Sequence, residues 1–278
     1  MPVVVITGCS SGFGMLAALE FARRGDSVYA TMRNTAKAGP LIGQAKTAGA
    51  AVEVLQLDVN DAVSVAAAIE EIVRREGRID ILVNNAGMSI DGPVEEFDDD
   101  EVLAVFETNL FGVIRVTRAV LPRMRSQGGG TIVTVGSLAG KATLPFSGIY
   151  SASKHAVEAL SDALHYELQP FGIRVVLIEP GGFETAIETN SRPARRFTEG
   201  SVYLEAERRF AEALDKLPGG WMRADAQIVA DVIVDAAKAE QPRRRYLVGQ
   251  DAELIAGLHK KMSDEEFEQT ARTMLDWH

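Results

Sequence analysis

The sequence predicts an α/β fold in which a doubly wound parallel sheet of seven strands carries helices on both faces. Three observations support this prediction. Short β-branched runs alternate with amphipathic segments along the chain, a pattern typical of right-handed βαβ units. The runs are almost continuously apolar, as expected of strands that are buried on both faces of a parallel sheet. A glycine-rich turn, residues 7–14, directly follows the first run.

The strands are predicted from runs of Val, Ile, Leu and Thr that end at Gly, Asn or Asp. They cover residues 3–7, 27–32, 52–57, 79–83, 131–135, 173–178 and 246–248. The helices are predicted from helical spacing of apolar residues and from capping residues such as Asp61. They cover residues 15–24, 35–48, 61–75, 98–126, 147–170 and 224–239.

Two segments interrupt the alternation of strands and helices. Residues 183–223 form a polar, Arg-rich insertion, and insertions of this length are usually lids or binding loops. Residues 251–278 are charged and helix-prone. We therefore predict one Rossmann-type domain over residues 1–250, including the insertion, followed by a helical C-terminal extension over residues 251–278 to which the sequence assigns no role.

Composition narrows the class of protein. The chain has 278 residues, of which 46% are apolar and 24% charged, enough to build a large core. Its formal net charge of −10 opposes binding to nucleic acid or anionic lipid. A single cysteine, Cys9, excludes an internal disulfide, and the chain enters a strand without a basic leader or a membrane-length apolar run. We expect a cytoplasmic protein.

The turn after the first strand is suited to phosphate. Glycines allow a close backbone approach, and the helix that follows directs its free N–H groups and its dipole toward an anion. The spacing is Gly-x-x-x-Gly-x-Gly, which differs from the common Gly-x-Gly-x-x-Gly, and a glycine-rich turn without a ligand is the alternative. The residues expected to contact a dinucleotide are Gly8, Ser10, Ser11, Gly12, Phe13 and Gly14.

The end of the second strand bears on which dinucleotide binds. No carboxylate follows this strand, whereas Arg33 does, and a guanidinium suits the 2′-phosphate of NADP. The alternative is that Arg33 is a solvated surface residue. Asp58 and Val59, after the third strand, are placed to contact the adenine, although Asp58 could instead cap the next helix, a role that Asp61 fills better.

Tyr150 and Lys154 are four residues apart and lie on one helix face. Free tyrosine ionises near pH ~10, and a neighbouring ammonium lowers the pKa of a phenol toward neutrality. Such a pair suits general acid–base chemistry, but surface helices also contain it.

Several motifs in register resemble the short-chain dehydrogenase/reductase family, in particular its retinol and hydroxysteroid dehydrogenase-like branch. The resemblance covers Val3 to about Val248. The matching elements are Thr7-Gly8-x-x-x-Gly12-x-Gly14, Asn84-Asn85-Ala86-Gly87, Asn109, Ser137, Tyr150-x-x-x-Lys154, and Pro180-Gly181 followed by Thr185.

The resemblance implies NADP(H)-dependent hydride transfer between a nicotinamide and a carbonyl or secondary alcohol. Tyr150 would exchange the proton, Ser137 would hold the carbonyl oxygen, and Lys154 would lower the pKa of Tyr150 and bind the ribose. Asn109 would sit in the long helix and hold a water near Lys154. Asn84, Ala86 and Gly87 would line the ribose, and Pro180, Gly181 and Thr185 would flank the nicotinamide. Family members usually form dimers or tetramers through two long helices, so a homo-oligomer is expected.

The expected substrate wall is mostly apolar, which favours a lipophilic ketone or alcohol. It comprises Met88, Ser89, Leu138, Leu144, Phe146, Gly181, Phe183 and Ile187. Arg192, Arg195 and Arg196 offer the alternative of an anionic substrate. A cofactor-binding regulatory protein with little activity is the second functional hypothesis. The histidines show no metal-ligand spacing, and Arg243-Arg244-Arg245 is interpreted as a solvated edge.

Overall fold

The computed structural model describes residues 1–184, 191–216, 224–275 and 277. Nine strands are present in these ranges: β1 Val3–Ile6, β2 Ser27–Met32, β3 Glu53–Gln56, β4 Ile81–Asn84, β5 Ile90–Asp91, β6 Gly130–Val135, β7 Ile173–Pro180, β8 Arg192–Pro193 and β9 Arg245–Val248. Seven of them form one parallel sheet in the order β3-β2-β1-β4-β6-β7-β9. The predicted seven-stranded doubly wound sheet is confirmed.

The helices in the described ranges are α1 Gly12–Arg23, α2 Gly39–Thr47, α3 Ala62–Glu76, α4 Asp99–Phe106, α5 Gly112–Ser126, α6 Gly148–Leu168, α7 Leu204–Asp215, α8 Gln227–Lys238, α9 Gln250–Lys261 and α10 Asp264–Met274. Helix α1 begins at Gly12, three residues before the predicted start, so its first turn belongs to the glycine-rich turn. Asp61 caps α3 as predicted, because its side chain accepts a hydrogen bond from the Val63 N–H.

The long helix predicted over residues 98–126 is helical but not regular. A π-helical turn, Glu107–Phe111, separates α4 from α5. Such turns occur frequently at functional sites because they redirect side chains from the regular helical face. Here the turn contains Asn109, which is 1% exposed.

The sheet opens a crevice at the carboxyl ends of its central strands. The chain moves from β1 outward through β2 and β3, then returns to place β4 on the other side of β1. Ligands of doubly wound folds bind at this reversal. Apolar side chains bury both faces, with α1 and α8 packed on one and α3 and α5 on the other.

The insertion is attached to the domain by contacts that the sequence did not predict. β8 pairs in parallel with β5 in a separate two-stranded sheet. Arg192 pairs with the buried Glu101 of α4, and Arg195 pairs with Asp98 and Asp100. Carboxylates of this chain already pair with Arg192 and Arg195, which gives no support to the alternative of an anionic substrate at these two residues; Arg196 is exposed.

Arg245 also departs from its prediction. It does not lie at a solvated edge, because its guanidinium pairs with Glu158 and, at 2.8 Å, with the buried Glu179 of β7. Lys141 contacts the same two carboxylates at 2.6 and 3.3 Å. Asp162 adds a third acid at 2.7 Å from Arg245.

No helix in the described residues is long and apolar enough to cross a membrane.

Candidate active site

The glycine-rich turn packs closely against the turn that follows β4. Gly8 has a φ of +74°, and a Cβ on it would lie 2.9 Å from the Cα of Ala86. A Cβ on Gly14 would overlap the side-chain amide of Asn85. A larger residue at either position would therefore collide with the turn that follows β4. The free N–H groups at the N-terminus of α1, beside Ser10, Ser11, Gly12 and Phe13, suit the pyrophosphate of a dinucleotide.

Asn85 is a residue of this site that the sequence analysis did not single out. Its side-chain amide donates to the carbonyl oxygens of Thr7 at 2.9 Å and Gly8 at 3.2 Å. The Thr7 hydroxyl accepts from the backbone N–H groups of Asn85 and Ala86, both at 3.0 Å. These bonds fix the turn after β1 to the turn after β4. The repeated Asn at 84–85 was the available signal.

Cys9 is buried behind the turn. Burial raises the pKa of its thiol far above the usual range, while its hydrogen bond with the backbone of Thr31 lowers it. A thiol held in this way stays protonated, so it does not act as a redox group. Cys9 serves as a small core residue beneath the turn.

The residues expected at the adenosine end lie after β2 and β3. Arg33 is exposed, and Ser10 is half-buried in the glycine turn. Asp58 accepts from the Asn60 N–H at 3.0 Å and does not cap α3. Val59 is 8% exposed, and its carbonyl oxygen accepts from Arg115. Val59 therefore packs in the core, and only the edge of this loop is open to a nucleotide.

The side chain of Asn84 makes one hydrogen bond that supports the fold and has one acceptor atom without a partner among the described residues. Its amide nitrogen donates to the Thr117 hydroxyl at 3.0 Å, which fastens β4 to α5. Its buried Oδ1 has no hydrogen-bond partner among the described residues. Buried polar atoms are rarely left unpaired, so this oxygen is suited to a water or ligand donor. Ala86 and Gly87 follow it at the mouth of the crevice.

Asn109 links three segments. Its Oδ1 accepts from the Met88 N–H at 2.9 Å, and its Nδ2 donates to the Met88 carbonyl at 2.9 Å and to Ser153 at 3.0 Å. These three hydrogen bonds hold the loop after β4 against α6. A Cβ on Gly87 would lie 3.4 Å from Asn109 Oδ1 and 4.0 Å from the Lys154 ammonium, so both groups border Gly87.

Lys154 is 5% exposed and donates to the Val135 carbonyl at 2.9 Å. Burial lowers the pKa of Lys154 to about 8, although the charge of Glu158 acts in the opposite direction. The ammonium lies 5.6 Å from the centre of the Tyr150 ring. The predicted pairing of these two residues on one helix face is therefore present.

The predicted lowering of the Tyr150 pKa is wrong for this structure. Burial raises the pKa of Tyr150 to about 12, the Ser137 hydroxyl lowers it, and the charge of Asp91 raises it. Removing a phenol from water disfavours the phenolate, and this outweighs the opposite effect of the Ser137 hydroxyl. The phenol therefore keeps its proton at neutral pH.

Ser137 lies where β6 gives way to a short 3₁₀ turn, Leu138–Gly140. Its Oγ accepts from the Ala139 N–H at 3.1 Å, which is the backbone-satisfying role considered for such a serine. The same hydroxyl also interacts with Tyr150. Two hydroxyls and an ammonium thus come together at the carboxyl end of β6, the arrangement needed to hold and protonate a carbonyl oxygen.

Phe146 dominates the expected substrate wall. It is the only described residue other than glycine with a positive φ, +63°. Its ring contacts three aromatic rings from separate segments, with centroids 6.3 Å from Phe197, 5.9 Å from Phe210 and 5.9 Å from Trp277. Trp277 belongs to the C-terminal extension, so the extension reaches this wall.

The other expected wall residues are placed less uniformly. Ser89 donates to Asp91 at 2.9 Å, Leu138 is buried, and Met88 and Leu144 are half-buried. Phe183 is 3% exposed and packs edge-on against Phe13 at 5.9 Å, so it belongs to the core beside the glycine turn. Pro180 ends β7 and Gly181 follows it. Thr185 and Ile187 lie outside the described residues.

Comparison with known proteins supports this picture. A family model described as short chain dehydrogenase matches residues 2–196. The chain is 38% identical over 214 residues to 3-ketodihydrosphingosine reductase of Bacteroides thetaiotaomicron, covering 77% of this chain and 76% of that protein. It is 37% identical over 252 residues to human 17-beta-hydroxysteroid dehydrogenase type 1, covering 88% and 76%.

Solved structures share the fold over nearly the whole chain. A short-chain dehydrogenase from Streptomyces avermitilis gives a TM-score of 0.79 at 32% identity, covering 100% of this chain and 99% of that one. Gluconate 5-dehydrogenase from Burkholderia cenocepacia, in complex with NADP and tartrate, gives 0.75 at 27% identity, covering 91% and 95%. A dehydrogenase from Burkholderia phymatum, in complex with NAD, gives 0.80 at 28% identity, covering 96% and 95%. The chain therefore belongs to the short-chain dehydrogenase family, whose members are oxidoreductases that use NAD(H) or NADP(H).

Proposed function

We propose that this protein is an NADP(H)-dependent oxidoreductase that reduces a lipophilic ketone to a secondary alcohol or catalyses the reverse reaction. The proximity of Tyr150, Ser137 and Lys154 at the end of β6 carries this proposal. The nicotinamide of the bound cofactor supplies or accepts the hydride. The protein's own residues position the carbonyl and move the proton.

Proton transfer is assigned to Tyr150. In reduction its phenol donates a proton to the carbonyl oxygen as negative charge develops there, and oxidation reverses this transfer. Ser137 donates a second hydrogen bond to the same oxygen, and the nearby positive charge of Lys154 favours the phenolate left behind. Lys154 and the turn of Ala86 and Gly87 would hold the nicotinamide ribose.

The preference for NADP rests on charge after β2. Arg33 is exposed there, and no carboxylate within that turn would repel a 2′-phosphate. Ser10, in the neighbouring glycine turn, offers a hydroxyl to the same phosphate. Asp58 remains the proposed contact to the adenine.

A lipophilic substrate is supported by the aromatic wall of Phe146, Phe197, Phe210 and Trp277. The names of the two relatives, which refer to 3-ketodihydrosphingosine and to a hydroxysteroid, favour the same class of substrate. Pairing of Arg192 and Arg195 with acids of α4 gives no support to an anionic substrate.

The proposed assembly is a homodimer or homotetramer in the cytoplasm, formed through the long helices. Leu103 and Phe111, on α4 and the π-helical turn, are 64% and 45% exposed. Exposed apolar side chains along this continuous helical segment favour a contact between subunits. Light scattering on the intact protein and on Leu103→Lys would test this assembly.

The function is tested by following oxidation of NADPH and NADH against a panel of ketones, with Tyr150→Phe as the matched variant. We expect turnover with a lipophilic ketone and a loss of about 10²–10⁴-fold in Tyr150→Phe. Arg33→Ala should weaken NADPH binding about tenfold and leave NADH binding nearly unchanged. Binding of NADPH without turnover in either protein would support the regulatory alternative instead.

A further inference from the structure

The segment that follows β7 is held by a residue of the C-terminal extension. The Gly181 N–H donates to the Val248 carbonyl at 2.8 Å and continues the pairing of β7 with β9. The next N–H, of Gly182, leaves the sheet and donates to the Asp251 carboxylate at 2.6 Å. Asp251 lies 69 residues further along the chain, in the first turn of α9.

The carboxylate occupies space that two glycines provide. A Cβ on Gly181 would overlap the Asp251 carboxylate, and a Cβ on Gly249 would lie 2.5 Å from its Oδ1. A side chain at either position would therefore displace the carboxylate. The Asp251 carboxylate accounts for the space at Gly181, and at Gly249 it acts together with a φ of +107° and the nearby ring of Phe183.

The location also stabilises the negative charge. Asp251 lies in the first turn of a 12-residue helix, where the helix dipole favours an anion. Its hydrogen bond from Gly182 is charge-assisted, which makes it stronger than a bond between neutral groups. Glu253, in the same turn, is exposed and offers a matched carboxylate without this contact.

Gly182 is linked to the glycine-rich turn through the next residue, Phe183. Phe183, the next residue, packs edge-on against Phe13 with ring centroids 5.9 Å apart. Its ring also lies 3.3 Å from the position that a Cβ on Gly249 would occupy. Asp251 thus fixes a short path that runs from Gly181 to the first turn of α1.

We propose that Asp251 is a positioning residue for the nicotinamide half of the cofactor. It fixes Gly181 and Gly182, which lie beside the expected nicotinamide position, and gives the C-terminal extension a role in cofactor binding. The inference depends on the assignment of Pro180 and Gly181 to the nicotinamide side in the proposed function. It does not depend on the choice between NAD and NADP or on the identity of the substrate.

The test compares ligands that contain and lack the nicotinamide. Dissociation constants are measured by calorimetry for NAD⁺, NADP⁺, ADP-ribose and 2′-phospho-ADP-ribose, with intact protein, Asp251→Ala, Asp251→Asn and the control Glu253→Gln. We expect Asp251→Ala to weaken binding of the preferred dinucleotide about tenfold and that of its nicotinamide-free counterpart less than twofold. Asp251→Asn should give a smaller loss of the same kind, and Glu253→Gln no loss.

A double variant tests the steric part. Gly181→Ala should weaken dinucleotide binding in the intact background but much less in the Asp251→Ala background, where the overlapping carboxylate is gone. Equal weakening of both ligand types, no weakening in Asp251→Ala and Asp251→Asn, or additive effects in the double variant would overturn the proposal. If no ketone is reduced but these binding differences are observed, the proposed reaction is overturned and the role of Asp251 in cofactor binding is retained.

Discussion

The ammonium group of Lys154 donates a hydrogen bond of 2.9 Å to the carbonyl oxygen of Val135, the last residue of β6. This bond fixes a side chain of α6 to the carboxyl end of the strand that precedes Ser137. Because the ammonium is buried, its position and its proton are both determined by the protein interior. A change in the ionisation of Lys154 should therefore affect the site as much as a change in its position.

The pH dependence of ketone reduction should follow Lys154. Burial lowers the pKa of Lys154 to about 8, whereas the pKa of Tyr150 is raised to about 12, so the phenol stays protonated while the lysine loses its charge. The turnover number for reduction should therefore fall as pH rises above about 8. Lys154→Arg keeps its charge at these pH values, so its residual activity should lack this fall. An unchanged profile in Lys154→Arg would assign the titration to another group.

Asn109→Asp should lower both stability and activity. The carboxylate can still accept from the Met88 N–H, but it cannot donate to the Met88 carbonyl or to Ser153. The buried Ser153 hydroxyl and the carbonyl of the half-buried Met88 lose their donor, which costs about 1–3 kcal/mol in the free energy of unfolding. Urea denaturation measures this loss, and Asn60→Asp, at an exposed bond to Thr108, is the control. Equal unfolding free energies for the two variants would contradict the assigned role of Asn109.

Arg245→Met should destabilise the fold strongly. Arg245 and Lys141 both pair with Glu158 and the buried Glu179. Without the guanidinium, Lys141 is the one cation among the described residues that contacts both carboxylates. Removing one partner of a buried ion pair costs about 3–5 kcal/mol in the free energy of unfolding. The exposed neighbour Arg243, which stacks on Tyr246 at 4.5 Å, gives the control Arg243→Met, with an expected loss of about 1 kcal/mol or less. Thermal and urea unfolding measure the loss of stability in both variants. Comparable losses would support the earlier interpretation of Arg245 as a residue of a solvated edge.

Trp277→Ala should raise the KM for a lipophilic ketone. The indole contacts Phe146 and Phe210 at 5.9 and 6.2 Å, and each aromatic pair contributes about 0.5–1.5 kcal/mol. We expect an increase of about threefold to tenfold in the ketone KM, with the cofactor KM unchanged. Met274→Ala, at an exposed position of α10, should leave both constants unchanged. An effect on the cofactor KM alone would remove Trp277 from the substrate wall.

The sequence predicted the parts of the molecule that depend on local patterns. Strand runs such as Val3–Ile6 are identified by composition, and Asp61 is identified as a cap because it directly precedes its helix. Gly8 and Gly14 could be predicted because their spacing reflects a backbone requirement. Tyr150 and Lys154 lie together because one helical turn separates them.

The parts that were missed depend on contacts between distant segments. Arg192 and Glu101 are 91 residues apart, and Gly182 and Asp251 are 69 apart, so no local pattern shows that they meet. The same reason explains the incorrect prediction for Arg245. The pKa of Tyr150 was predicted in the wrong direction because spacing shows a nearby ammonium but not the burial of the phenol.

The attachment of the insertion to α4 has two kinds of ion pair. The Glu101 side chain is 1% exposed where it meets Arg192, whereas Asp98 and Asp100, which Arg195 meets, are 38% and 67% exposed. The Debye length falls from about 10 Å at 0.1 M salt to about 3 Å at 1 M, so high salt weakens exposed ion pairs and affects buried pairs far less. Rising ionic strength should therefore loosen the Arg195 side of this attachment while the Arg192 side holds, which makes the buffer itself a means of adjusting how firmly the insertion is docked.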